Sequence, residues 1–457
     1  MAKRALALLL TLLLLAPAAL AEVTGPLFEA ESMSDSGAEE TGIFIFTQNR
    51  LEGLVDAEGN VLCEAQFGDL SYAGSGFYKA TNEGGFNTSA LVNAGGEAVT
   101  PYEYSDFDVI SPNWAVGVVL EGTDDKDGSD YNVIFGEKKY AVIVRNDVFY
   151  LPQKKLVGTL ERAKYSRARE AGINGWLLVM DRADAVTAYD FDFNATQTQL
   201  KNMFDAEVVV QSENELSPKA LYSAVTGEKL AEREYTGLNN IARGYTAFYD
   251  GEQRLYGILN PQGEEICPPS FSSVNSTLYA GRYVKVSLNG ADGASTEGLY
   301  DLDEQKLAIP CAYQRVYVWG SKAPINNGYV CVEQDGKLGY TDLEGNVTCP
   351  IQYAKDNVSY YGCTLGATDL TGAVTLIAAD GTVTALEGVT KLDTKNGLTN
   401  SDGRFLTVEN ADGKHAVVDW HGEKLVDFVL DYGAAIYGKD CLFTGKSLFK
   451  NKKRKIC

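Results

Sequence analysis

Between Gly328 and Tyr353 the apolar residues fall in three short runs, Tyr329–Val332, Leu338–Thr341 and Val347–Cys349. Each is too brief for a helix and rich in β-branched or aromatic residues, so each reads as a strand. Gln334-Asp335-Gly336 separates the first two, and Asp342-Leu343-Glu344-Gly345 the second and third. In both connections a glycine supplies the left-handed conformation of a tight hairpin, and an aspartate caps the turn through its side chain. Pro350 has no N–H for a ladder and is expected to end the third strand.

The same marks recur at constant offsets from the turn glycine, a proline five residues on and an aromatic eight residues on. Gly96 leads to Pro101 and Tyr104, Gly263 to Pro268 and Phe271, and Gly345 to Pro350 and Tyr353. Gly59 and Gly227 keep only the aromatics Phe67 and Tyr235, while Gln305 takes the glycine's place before Pro310 and Tyr313. Weaker copies stand at Gly381 and Gly422. Between Gly96 and Gly227 the marks fade, and the interval has room for two more units. One is expected as Tyr140–Val144, a turn at Arg145-Asn146-Asp147, Val148–Leu151, a turn at Pro152-Gln153-Lys154, and Leu156-Val157. The other runs from Trp176–Val179 through Tyr189–Phe193. The result is an array of nine or ten antiparallel hairpin units of about 36–41 residues, an all-β chain.

Gly53, Gly257, Gly298 and Gly339 open the middle strand in Glu-Gly-Leu, Tyr-Gly-Ile, Glu-Gly-Leu and Leu-Gly-Tyr, each followed within three residues by Asp or Asn. This resembles the WG-repeat family of bacterial proteins, whose units read roughly Lys-x-Gly-Tyr-Ile-Asp-x-x-Gly-x-x-x-x-Pro-x-x-Tyr. The tryptophan of that pattern is replaced here by Glu, Tyr or Leu. The resemblance covers about Gly42 to Phe443 with a gap in the middle. It implies propeller-like blades and no shared activity, catalytic residue or cofactor. A β-propeller is therefore expected, with an open curved β-solenoid or two arrays as alternatives because the unit count exceeds the usual blade number.

Met1 to Ala21 has the charged start, apolar run and small-residue cleavage site of a secretory signal, and Glu22 follows where a lipidated cysteine would stand. Release from the cell is the expectation. Residues 22–41 read as an acidic leader with little structure, and Ile43–Thr47 as the first strand of an array running over 42–445. Ala195 to Ala206 is either a short helix, from Leu200, Met203 and Phe204, or an irregular loop. Cys441–Phe443 has the register of a first strand with no hairpin after it, and Lys446–Cys457 is a basic tail. No other stretch reaches membrane-spanning length.

The formal charge of −22 makes phosphate-rich partners unfavourable, so neither nucleic acid nor an anionic membrane surface is expected. Proteins, peptides and glycans remain as ligands, and oligomeric state is open. Cys63, Cys267 and Cys349 share one slot in the repeat, as a small apolar filler would, so the eight cysteines are expected to be structural free thiols. Asp124-Asp125-Lys126-Asp127-Gly128-Ser129-Asp130 invites a calcium reading but has Ile134 where the bidentate glutamate of an EF-hand belongs, and a solvated loop accounts for it. His415 and His421, beside Asp419 and Trp420, are the histidine candidates for a general base. No phosphate loop, nucleophile elbow or zinc spacing occurs.

Two classes of function survive: a secreted, non-enzymatic scaffold binding through its loops, and an extracellular hydrolase with a loop-built site. The connections that vary most are 122–131, 194–206, 291–296 and 319–327. The last contains a Trp, a Lys and a Pro, and Trp319 is the candidate ligand-stacking residue.

Overall fold

A computed structural model describes residues 27–82, 85–211, 219–291, 293–318, 328–392 and 405–430, with the backbone of 435–437, 441–443 and 447–450. Among these residues the chain forms nine four-stranded and two three-stranded antiparallel sheets. Ten follow one another along the sequence over 32–67, 69–92, 106–160, 167–197, 208–232, 237–271, 273–313, 315–354, 359–386 and 391–430. They are called here the first to tenth sheets. The eleventh combines Ala435–Tyr437, Cys441–Phe443 and Ser447–Lys450 with Phe28–Glu29 from the other end of the chain, whose Phe28 pairs with Leu448.

The eighth sheet shows the plan. Arg315–Tyr317, Tyr329–Gln334, Lys337–Asp342 and Val347–Ala354 pair in sequence order. The three expected strands are the second, third and fourth, and the first is a short segment with little apolar signal. From the first to the tenth, each sheet packs face to face on the next, so the middle strands between them are covered on both faces and read as apolar runs rather than alternations. One hydrophobic cluster joins Cys267 and Phe271 of the sixth sheet to Leu278, Val284 and Tyr300 of the seventh. Others join Ile309 and Tyr313 to Val316 and Val330, and Tyr340 and Cys349 to Cys363 and Leu365. Phe28 packs on Phe46, ring centres 4.9 Å apart, joining the eleventh sheet to the first.

The repeat marks have physical causes at this level. Asp342 accepts the N–H groups of Glu344 (2.9 Å) and Asn346 (2.8 Å) through one oxygen, and Asp56, Asn93, Asn260 and Asp419 cap their turns in the same way. Gly345 follows with φ 82°. The aromatics Tyr104, Tyr235, Phe271 and Tyr313 are buried and Tyr353 is partly buried. Pro350 does not end its strand. It lies in a bulge, between the pairs Cys349↔Tyr340 and Tyr353↔Leu338, where no ladder N–H is required. The bulge folds over Gly339, where a Cβ would sit 2.7 Å from the Cys349 carbonyl oxygen, so close backbone approach is what the middle-strand glycine permits. In the slot before that glycine, the Glu297 carboxylate accepts the N–H of Val316 at 2.8 Å and ties one sheet to the next; Glu52 does the same for Leu70.

Several expectations are corrected. Tyr140–Tyr150 is one strand of 11 residues, with Arg145-Asn146-Asp147 inside it rather than in a turn, because it pairs throughout with Trp114–Thr123. Residues 195–206 hold a strand at Ala195–Gln197 and no helix; Leu200 and Met203 are buried between sheets without one. The supposed leader contributes Phe28–Glu29, Ser32–Ser34 and one helical turn at Ala38–Thr41. Cys441–Phe443 is followed by a hairpin strand, Ser447–Lys450, so ordered structure runs into the supposed tail. Met1–Ala21 and residues 451–457 lie outside the described residues. No described helix is long and apolar enough to cross a membrane.

Candidate functional site

The third sheet departs most from the plan. Its second and third strands, Trp114–Thr123 and Tyr140–Tyr150, are the longest among the described residues. A bulge between Val119 and Leu120 breaks their register and leaves Arg145, Asn146 and Asp147 in mid-strand. Asp147 is 2% exposed and fully engaged: it accepts the hydroxyls of Tyr104 (2.9 Å) and Thr159 (2.7 Å) and pairs with Arg145 at 2.9 Å. Burial, with the Asp147 carboxylate beside it, holds the Tyr104 hydroxyl well above its usual pKa. Asn146 is 1% exposed, and its Oδ1 has no hydrogen-bond partner among the described residues. A buried amide oxygen left in this state costs about 1–3 kcal/mol.

Asn146 lines a groove of about 510 Å³ between the third and fourth sheets. Asp106 and Asp108 stand along one wall; the alternation of Asp106–Val109 puts both on the strand's more exposed face. Lys79 holds Asp106 at 3.1 Å, and the Tyr165 hydroxyl donates to Asp108. Burial, then the neighbouring Asp108, raises the pKa of Tyr165; burial, then Asp106 and Asp130, raises that of Tyr131. Both phenols line the groove in protonated form. Arg182 enters from the fourth sheet, and its guanidinium lies 3.1 Å from Asp130. Asp130 also takes Arg162 at 2.8 Å and the N–H of Ile143 at 2.8 Å. Burial opposes ionisation there, but that N–H and the two arginines outweigh it and keep the carboxyl below its usual pKa.

The acidic run is thus divided among partners. Asp124 pairs with Lys138, Asp125 caps the N–H of Asp127, and Asp130 is held by arginines. His415 and His421 sit at opposite ends of the strand His415–Asp419 and are not brought together. His421 Nε2 is 2.8 Å from Asp380, and its ring lies tilted by 39° against that of Trp420, centres 3.9 Å apart. Trp319 lies outside the described residues. Cys63, Cys267 and Cys349 do share one register on their fourth strands, opposite Leu54, Ile258 and Tyr340, and the six described cysteines are unbridged. Burial holds the Cys349 thiol up at about 11, where thiolate chemistry is weak at neutral pH. Sequence reasoning missed the groove. The Asp106-Phe107-Asp108 alternation was the one signal available, and it gains meaning only beside Asn146 and Tyr165, which are distant in sequence.

No family model matches the chain, and no curated protein matches it. Among solved structures it is similar to a eukaryotic initiation factor, at 10% identity and a TM-score of 0.37, over 91% of this chain and 99% of that one. It is also similar to the computationally designed Ika8 protein, at 12% identity and a TM-score of 0.20, over 64% of this chain and 97% of that one. At such scores neither likeness bears on what the protein does.

Proposed function

We propose that the protein is a secreted, non-enzymatic repeat scaffold of the WG-repeat kind, its sheets set as blades of a ring, which binds a neutral, hydroxyl-rich ligand such as a glycan between the third and fourth blades. Ring closure is supported by the pairing of Phe28–Glu29 with Ser447–Lys450, which uses the start of the chain to complete a sheet begun at its end. The observation that carries the binding reading is the buried Asn146 oxygen in a groove walled by Asp106 and Asp108. Such a lining is rich in acceptors, and its phenol rings offer flat apolar faces, so it suits a ligand with several hydroxyl donors on an apolar ring.

The test is a glycan array with the purified protein. A retained fold and binding weakened by about tenfold or more in Asn146→Ala and in Asp108→Asn are expected. Binding unchanged in both variants overturns the assignment of the site. The second reading, a hydrolase, draws on the two carboxylates of one strand face. It predicts glycoside turnover that disappears in Asp106→Asn or Asp108→Asn, and such turnover would replace the scaffold reading.

A further inference from the structure

The fifth sheet is one of the two with three strands. Its members, Val208–Gln211, Ala220–Ser223 and Lys229–Glu232, correspond to the second, third and fourth strands of the plan, since the turn glycine Gly227 lies between the last two. The first strand is missing, because the chain passes from Ala195–Gln197 through a loop straight into the second. Val208–Gln211 is therefore an edge, paired only with Ala220–Ser223 among the described residues. The Ala224 N–H donates to the Glu207 carbonyl at 2.7 Å, which sets the alternation of the ladder. Val209 faces its partner strand, while Val210, partly exposed, turns its N–H and C=O groups to the open side; those of Val208 point the same way but are buried. A groove of about 490 Å³ lies along this edge, between it and residues 235–238 that lead into the sixth sheet.

The charge of the groove is unlike that of the protein. Lys201 and Lys219 line it, and neither ammonium has an ion pair among the described residues. Its one acid, Asp205, is engaged within its own loop, accepting the N–H groups of Lys201 (2.5 Å) and Asn202 (3.1 Å) and the Asn202 side-chain amide (2.8 Å). Two cations without an ion pair among the described residues, in a chain of net charge −22, select for an acidic visitor and against the chain's own basic terminus.

We infer that the open edge at Val208–Gln211 is a docking site for an acidic, extended peptide of a partner protein, which adds itself as the missing first strand. Main-chain hydrogen bonds to Val210 supply the pairing. The side chains of the visitor alternate, apolar ones lying on the face of Leu238 and Val210, and acidic ones are drawn to Lys201 and Lys219 at the groove walls.

The probe is a dye-labelled octapeptide alternating glutamate with valine, against one alternating lysine with valine, followed by fluorescence anisotropy with the full chain. The acidic peptide should bind at least about tenfold tighter, with affinity falling as salt rises. The double variant Lys201→Glu with Lys219→Glu should reverse the preference. Val210→Pro removes an edge N–H that the sheet does not use, and should abolish binding while thermal unfolding stays unchanged. Hydrogen exchange at the Val210 amide should slow only when the acidic peptide is present. Equal binding of both peptides, or no slowing at Val210, overturns the inference. So does slow exchange at Val210 in the free protein: if independent of concentration it assigns the edge to the chain's own residues, and if it grows with concentration, to a second copy.

Discussion

The eighth and third sheets are built on one strand order and do different things with it. In the eighth, the middle of the second and third strands is apolar, and Val330, Cys331, Val332, Leu338 and Tyr340 are buried against neighbouring sheets. Its turns are served by polar residues such as Asp342, and its one buried polar side chain among the described residues, Thr341, is a small hydroxyl without a partner among them. In the third, Arg145, Asn146 and Asp147 occupy mid-strand, and an enlarged hairpin holds the acidic run 124–130. A repeat that packs on both faces has few residues to give to chemistry. The third sheet, which lost its repeat marks, lines a polar groove together with the fourth, which lost them too. Polar side chains in mid-strand are costly unless partnered. Asp147 is partnered from within, and the buried Asn146 oxygen has no partner among the described residues.

The largest expected effect comes from removing the internal partner. Asp147→Ala leaves the buried Tyr104 hydroxyl without its acceptor and also releases the exposed Thr159 hydroxyl and the half-exposed Arg145 cation, and should cost about 2–3 kcal/mol. Asp342→Ala in the eighth sheet loses two exposed turn hydrogen bonds and should cost about 1 kcal/mol. Denaturant unfolding measures both. Similar losses would mean that Asp147 is no more than another turn-like carboxylate, and the contrast between the two sheets would fail.

An intermediate effect is expected from pH. Asp130, which fixes the enlarged hairpin to Arg162 and Arg182, has a folded-state pKa below its unfolded value. Its contribution is therefore complete above the usual carboxylate pKa of about 4 and is lost as pH falls through the lower folded value. Hydrogen exchange at Ile143, whose N–H Asp130 accepts, should stay slow at pH 5 and accelerate below about pH 4. In Asp130→Asn the Ile143 amide should exchange faster throughout and lose that dependence. Acceleration already between pH 6 and 5 would show that another group holds the hairpin.

The sequence made the array legible because its marks are local. A turn aspartate, a left-handed glycine and a following aromatic all act within one unit, so Asp342, Gly345 and Tyr353 could be read together. The first strands escaped notice because a segment such as Arg315–Tyr317 has only Val316 fully buried and no turn signal of its own. Arg145-Asn146-Asp147 looked like a turn because its composition is that of turns; the long pairing with Trp114–Thr123 overrides local preference. Phe28–Glu29 found its partner at the far end of the chain, a pairing no local pattern announces. The groove was illegible for the same reason, since Asp108, Asn146, Tyr165 and Arg182 meet only through the stacking of two sheets.

The smallest effect tests whether the third sheet's lost glycine matters. Its last turn places Lys154, at φ 50°, where the eighth sheet has Gly345 at φ 82°. A side chain in the left-handed region costs roughly 1–2 kcal/mol, and Lys154 accepts that strain while donating its N–H to Leu151 at 3.0 Å. Its ammonium also reaches Glu97 at 2.6 Å, but both groups are exposed and screened by solvent, so the pair adds little. Lys154→Gly relieves strain, frees the unfolded chain and gives up the ion pair, three terms of mixed sign. Its net change should stay within about 0.5 kcal/mol. The reciprocal Gly345→Lys has no such compensation, because a Cβ there would stand 3.1 Å from Pro310 Cδ, and it should cost about 1–2 kcal/mol. A cost for Lys154→Gly as large as that of Gly345→Lys would mean that the third sheet depends on its lysine turn as closely as the eighth depends on its glycine. The loss of the mark would then be a specialisation of the turn as well as of the groove.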